Sequence, residues 1–173
     1  MKFDVFVSFR GIDTRRTFVS HLCHSLYKRG ITVFKNDEER PENELASSQV
    51  LQSIEESRAA IVIISKIFAS SVSCLDELVK IMECREKRSQ GSTASLFFVV
   101  PVFYSIDPCD VVRQADNLME LVGGDNNLDK LEKWRDALRK FTRTFDHFFD
   151  WEQDDSCIID RAINYISQHL SAH

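Results

Sequence analysis

One acid and three cations in this chain have the chemistry to handle a charged small molecule: Glu77, and Arg10, Arg15 and Arg16 in the segment after the first apolar run. Guanidinium groups grip phosphate oxygens through paired, charge-assisted hydrogen bonds, so this basic segment suits a phosphate held directly, without an intervening metal. On spacing alone the same arginines serve equally well as solvated surface charges. Glu77 falls in the first helical turn after Ser73, where capping and the helix dipole favour an acid whatever its function. Counting about 100° per residue from Leu75, it points away from the sheet yet is bordered by Cys74 and Ile81. A carboxylate with apolar neighbours is a candidate for altered proton affinity, and so for chemistry.

Several familiar chemistries fail on residue type. A dinucleotide-binding turn needs three glycines so that backbone can approach a pyrophosphate, and the first loop offers only Gly11. A phosphate-cradling Walker loop and a G-x-S-x-G nucleophile elbow are both missing, and the serines near Ser70 have no such glycines around them. A phospho-acceptor receiver would need clustered acids after the first strand and an Asp ending the third, to hold magnesium; Phe9-Arg10-Gly11 and Ser65 stand there instead. A cysteine nucleophile is poorly supported, because Cys74 and Cys84 lie on one helix without a paired histidine. The five cysteines form no C-x-x-C pair and leave an odd thiol, a pattern of reduced thiols in the cytosol rather than of disulfides or a zinc ribbon.

Those residues need a scaffold, and the apolar pattern supplies one. Strands are expected at 3–9, 31–34, 59–64 and 96–104, rich in β-branched and aromatic residues. Between them Phe18, Leu22 and Leu26 share one helical face, Val50 and Ile54 mark a second helix, and Leu75, Leu78, Val79 and Met82 a third. Gly30 is a helix stop, and the acidic, proline-containing stretch from Asn36 to Ser47 is a long loop. Later, Leu131, Trp134, Leu138 and Phe141 share a face, as do Ile159, Ile163, Ile166 and Leu170, with a fifth strand expected between them at 144–149. Strands alternating with helices make right-handed crossovers, so the fold class is α/β: one doubly wound domain over residues 1–173, with a five-stranded parallel sheet and helices on both faces. Ligands of such folds bind outside the carboxyl ends of the strands, which selects the loops 10–15, 36–47 and 65–74.

Charge and hydropathy narrow the partners. The net charge of −5 does not favour nucleic acid or an anionic membrane, and the basic runs 85–88 and 139–143 read as solvated helix ends. The longest apolar run, Leu96 to Phe103, is far short of the roughly 20 residues a membrane helix needs. The amino terminus enters a strand at once, and no secretory leader is expected.

The string from Phe3 to Arg15, FDVFVSFRGIDTR, closely resembles the opening of plant Toll/interleukin-1 receptor (TIR) domains. So do Ile54-Glu55-Glu56-Ser57-Arg58, the run CLDELVKI from Cys74 to Ile81, Pro101-Val102-Phe103-Tyr104 and Asp107-Pro108, in the family's order and spacing. The resemblance covers nearly the whole chain and fits either a TIR-only protein or the TIR part of an immune receptor. It implies a flavodoxin-like TIR fold and a self-associating domain that cleaves NAD⁺ as its substrate, with no further cofactor and no metal. Plant defence signalling, innate immunity and the cell death of a hypersensitive response follow from the same resemblance, with a cytoplasmic and also a nuclear location in view. By that likeness Glu77 is catalytic, and Arg10, Gly11, Arg15, Ser71 and Ser73 bind substrate. Ser20 and His21 match a self-association motif, and Glu42 and Asn43 occupy a loop that meets a neighbouring subunit in related assemblies. Three departures from the family pattern stand out: Ser73 replaces a tryptophan, Glu42-Asn43 an Arg-Gly pair, and Asp116 a glycine. The other readings are a non-catalytic scaffold for TIR–TIR contacts, and a synthetase of 2′,3′-cyclic nucleotides from RNA or DNA, which the acidic balance disfavours.

Overall fold

Side chains alternate across a strand, so in β1 (Phe3–Ser8) Val5 and Val7 face one way while Phe6 and Ser8 face the other. The same division runs through β3 (Ser57–Ile64), where Ala59, Ile61 and Ile63 pack with Val5 and Val7, and Ala60, Val62 and Ile64 with Phe6. Two apolar layers result, one on each face of the sheet. The computed structural model describes residues 1–11, 15–36, 44–91, 96–122, 128–145 and 154–172. Among them the strands β1, β2 (Val33–Lys35), β3 and β4 (Phe98–Phe103) form one parallel sheet in the order β2-β1-β3-β4. Its register sets Val5 opposite both Val33 and Ala59, and Ala59 opposite Phe98.

Helices α1 (Ser20–Lys28) and α7 (Asp155–Ala172) cover the Val5 face. On the Phe6 face lie α2 (Ser48–Glu55), α3 (Val72–Ser89), α4 (Pro108–Asp116), the short α5 (Leu118–Val122) and α6 (Leu128–Phe145). The expected faces hold: Leu22 and Leu26 on α1, Leu131, Trp134, Leu138 and Phe141 on α6, and Ile159, Ile163 and Ile166 on α7 are buried, with Leu170 half-buried. Gly30 ends α1 at φ 73°, a left-handed position that lets the chain turn back to β2, and its N–H donates to the Tyr27 carbonyl at 3.0 Å.

The fifth strand expected at 144–149 does not begin where the pattern put it. Thr144 and Phe145 form the last turn of α6, because Phe145 stacks against Phe141 one helical turn back, ring centroids 5.1 Å apart. Residues 146–149 lie outside the described residues, among which four strands pair. None of the described helices is long and apolar enough to cross a membrane.

From β1 the chain runs to β2 at one edge, then crosses back past β1 to β3 and on to β4 toward the other edge. The crevice between the carboxyl ends of β1 and β3 is therefore the switch point at which open α/β sheets bind ligands.

Candidate functional site

Ser8 is the last residue of β1 and shares the parity of Phe6, so its hydroxyl faces α3 rather than α1. There Ser8 Oγ donates to Glu77 Oε1 at 3.1 Å, and both residues are buried, at 0% and 4% exposure. This contact sits at the switch point itself and ties the acid to the strand end from which the basic loop leaves.

The orientation of Glu77 corrects the helical count. Its neighbours on the stripe, Cys74 and Ile81, are as expected, but the stripe faces inward. Helix α3 is covered by the sheet, by α2 and by α6 together, so its buried arc is far wider than the one face an amphipathic count assumes. Its start differs too: Ser71, not Ser73, is the cap, accepting a hydrogen bond from the Cys74 N–H at 3.4 Å, and Glu77 falls in the second turn. The helix dipole alone no longer accounts for an acid there, since the effect fades beyond the first turn.

Around that pair the remaining candidates arrange themselves in the expected loops. Arg10 follows Ser8 by two residues and is 9% exposed; Gly11 is half-buried. Arg15 opens a π-type turn, Arg15–Val19, that leads into α1. Ser71 is fully buried by its capping role, and its hydroxyl lies 3.1 Å from that of Ser73, which is 7% exposed. Ser65, just past β3, is 1% exposed, and its hydroxyl has no hydrogen-bond partner. The helix end capped by Ser71 also presents N–H groups and a positive dipole to this crevice, the usual seat of a bound phosphate. Among the described residues no group of three His, Cys, Asp or Glu is placed to hold a metal ion.

Two contacts beside Glu77 escaped the sequence reading. The Cys74 thiol donates to the Phe9 carbonyl at 3.5 Å, clamping α3 to the residue beyond β1. Asp76 accepts from the Ala46 N–H at 3.1 Å and from Trp134 Nε1 at 2.9 Å. Trp134 offered the one available signal, since a buried indole N–H in a helix face demands an acceptor. Ser8 could have been found by parity alone, as a small polar residue on a core-facing position at the end of a strand.

Three of the thiols are shifted away from activation. Burial pushes the Cys84 thiol up, the Asp107 carboxylate does the same for Cys109, and the hydrogen bond with Asp154 for Cys157. All three hold their protons more tightly than a free cysteine, the opposite of a nucleophile.

A family model for the TIR domain matches residues 2–172. The chain belongs to the TIR domain family. This TIR domain is 43% identical over 138 residues to disease resistance protein RUN1 of Vitis rotundifolia, covering 79% of the chain and 10% of that protein. It is 34% identical over 173 residues to TMV resistance protein N of Nicotiana glutinosa, covering 97% of the chain and 14% of the relative. The chain thus spans about a tenth of the length of curated relatives it matches. Among solved structures, the TIR domains of the activated Roq1 resistosome, which directly recognises the pathogen effector XopQ, superpose with a TM-score of 0.76 at 38% identity, over 95% of this chain and 99% of that one. The RPS4–RRS1 TIR heterodimer, at TM-score 0.55 and 20% identity, covering 95% and 96%, shares the fold.

In this TIR domain the two described self-association candidates fall on a different surface from Glu77. Ser20 and His21 are exposed at the start of α1, on the opposite face of the sheet from α3. Glu42 and Asn43 lie outside the described residues, as do Ile12, Asp13 and Thr14 of the first loop. Asp116 ends α4 and pairs with Arg139 of α6 at 2.5 Å, so the departure from glycine there joins two helices.

Proposed function

We propose that this TIR domain is an NAD⁺ nucleosidase that releases nicotinamide, that self-association switches it on, and that its ADP-ribose-type products act as signals in plant immune defence. The buried Ser8–Glu77 hydrogen bond at the β1/β3 switch point carries the reading, because it puts one oriented carboxylate where an α/β sheet takes its ligand. Cleavage breaks the bond between the ribose C1′ and the pyridinium nitrogen; both electrons leave with nicotinamide, which departs neutral, and positive charge is left on the sugar. A single carboxylate facing that charge stabilises the oxocarbenium-like state. Water then adds at C1′ and gives up a proton, yielding ADP-ribose; a hydroxyl or ring nitrogen of the same nucleotide adding instead yields a cyclic product. Arg10 and Arg15, with Gly11 and the α3 end shaped by Ser71 and Ser73, receive the pyrophosphate.

Self-association enters because Glu77 is 4% exposed in the single chain, so substrate reaches it only once the surrounding loops rearrange. Packing of Ser20 and His21, and of the 36–47 loop with Glu42 and Asn43, against further copies or other TIR proteins is the proposed drive. In the test, concentrated protein is incubated with NAD⁺ and nicotinamide is followed by chromatography for wild type and Glu77→Ala. Release that climbs faster than linearly with protein concentration, and vanishes in the variant, is expected. Equal release from both removes Glu77 from its role, and no release under crowding leaves the non-catalytic scaffold.

A further inference from the structure

Besides the Ser8–Glu77 and Cys74–Phe9 contacts, two hydrogen bonds of Asp76 hold the turn of α3 that carries Glu77. Asp76, the preceding residue, uses one carboxylate oxygen for the Ala46 N–H at 3.1 Å and the other for Trp134 Nε1 at 2.9 Å. Ala46 leads into α2, whose cap is Ser47, and Trp134 is 2% exposed in the middle of α6. One side chain therefore ties α3 to both helices that flank it. If that carboxylate is removed, the indole N–H of Trp134, a residue 2% exposed, loses its acceptor, and a buried donor left without one carries its desolvation cost.

The consequence falls on Glu77. Rotating α3 about its axis, or sliding it toward either neighbour, would carry the Glu77 carboxylate off Ser8, because the two residues are adjacent on one rigid helix. Both kinds of motion break a bond of Asp76. Further along, among the described residues, α3 is tied to α2 by the Lys80–Glu55 pair and, at its far end, by Arg88, which donates to the Glu55 carbonyl, and to α6 by the exposed Glu86–Lys140 pair. Exposed pairs of that kind hold geometry weakly.

We propose that Asp76 is a positioning residue for the reaction: it locks α3 against α2 and α6 and so fixes the angle at which Glu77 meets the substrate. This rests on the nucleosidase reading of Glu77. It differs from a purely structural role in one respect, since misplacing a catalytic group by about 1 Å costs rate well before it costs folding or binding.

The test is a steady-state comparison of nicotinamide release by wild type, Asp76→Ala, Asp76→Asn, Trp134→Phe and a destabilised control, Phe141→Leu, a core change on α6 that leaves both bonds of Asp76 in place. Asp76→Ala should lower kcat by about tenfold or more, with KM within about twofold of wild type. Asp76→Asn, which keeps one oxygen acceptor, and Trp134→Phe, which removes only the indole N–H, should each show a smaller loss. Their combined loss should be less than the product of the two. Phe141→Leu should lose thermal stability with little change in kcat. An Asp76→Ala enzyme with wild-type kcat, or losses in all variants that simply track melting temperature, overturns the inference while leaving the nucleosidase standing. Absence of release from wild type removes the nucleosidase reading, and this inference with it.

Discussion

Ser8 and Glu77 are 69 residues apart in sequence, yet the Ser8 hydroxyl donates to the Glu77 carboxylate at 3.1 Å inside the protein, at 0% and 4% exposure. An ionised carboxylate in such a place needs hydrogen-bond donors, and the Ser8 hydroxyl at the end of β1 is one. The bond does two things at once. It makes burial of the acid tolerable, and it holds one of its oxygens in place.

Ser8→Ala is therefore expected to leave Glu77 present but loosely held. Hydrogen bonds to charged groups are worth about 1.5–3 kcal/mol, so kcat for nicotinamide release should fall roughly tenfold or more, with KM little changed. Ser8→Thr, which keeps the hydroxyl, should restore part of the loss. Steady-state kinetics of the two variants decide it; wild-type kcat in Ser8→Ala would show that the bond has no part in the chemistry.

The Glu55–Lys80 pair links α2 to α3 and gives stability a definite pH dependence. Its hydrogen bond and then the Lys80 charge hold the Glu55 carboxyl below its ordinary 4.5, while the same hydrogen bond raises Lys80 above 10.5. Because the folded value for Glu55 is depressed, its contribution is complete above pH 4.5 and is lost as pH falls through the lowered folded value. Lys80 works the other way: its contribution is complete below pH 10.5 and is lost as pH rises through the raised value. The pair is largely exposed, so Glu55→Gln should cost only about 0.2–1 kcal/mol at pH 7. Thermal melts should show a gap between wild type and variant at pH 7 that closes at strongly acidic pH; a gap that widens in acid contradicts the assignment.

Asp107 caps α4, its carboxylate accepting from the Cys109 N–H at 2.8 Å, and the same charge pushes the exposed Cys109 thiol up. Asp107→Ala should then have two separate effects. Loss of the cap should cost about 0.5–2 kcal/mol in a denaturant titration. Alkylation of Cys109 in mildly alkaline buffer, followed by mass spectrometry, should become at least about twofold faster as the thiolate is released from the neighbouring charge.

Ser105, just beyond β4, sits at φ 55°, a conformation that glycine adopts freely and side chains adopt at a cost. Ser105→Gly should leave the melting temperature unchanged or higher. Ser105→Val, with branching at Cβ, should lower it by about 2–4 °C, near 1 kcal/mol for a domain of this size. Calorimetry on the pair tests the backbone directly, and a stabilised valine variant would refute the left-handed assignment.

The departure at position 73 also bears on the proposed substrate site. Ser73 is 7% exposed beside the cap of α3, where related domains carry a tryptophan by the resemblance of the flanking Cys-Leu pair. Restoring the aromatic ring with Ser73→Trp should lower KM for NAD⁺ by about threefold or more, as a stacking surface for a base is worth roughly 1 kcal/mol, provided kcat shows the site intact.

Much of this architecture was legible before any coordinates. Phe6, Val62 and Leu78 announce their elements by period, and Gly30 and Asp107-Pro108 announce their ends, because each signal lies within a few residues of what it controls. Glu77 was harder. An angular count from Leu75 treats a helix as having one buried face, whereas α3 has sheet on one side and helices on two others, so the count turned the acid outward when it faces in. The strand expected at 144–149 failed at its start for a similar reason. Phe145 has the residue type of a strand but is captured by Phe141 on the preceding helical turn.

Sequence alone determined the order of the four pairing strands with the helices between them, and the family to which the chain belongs, since those depend on local period, turn chemistry and short motifs. Tertiary structure alone decided that Ser8 would meet Glu77 and that Asp76 would join Ala46 to Trp134. Such contacts depend on register between strands and on how helices pack across a sheet. No spacing along the chain encodes them, because they arise only when segments far apart in sequence compete to bury the same surface.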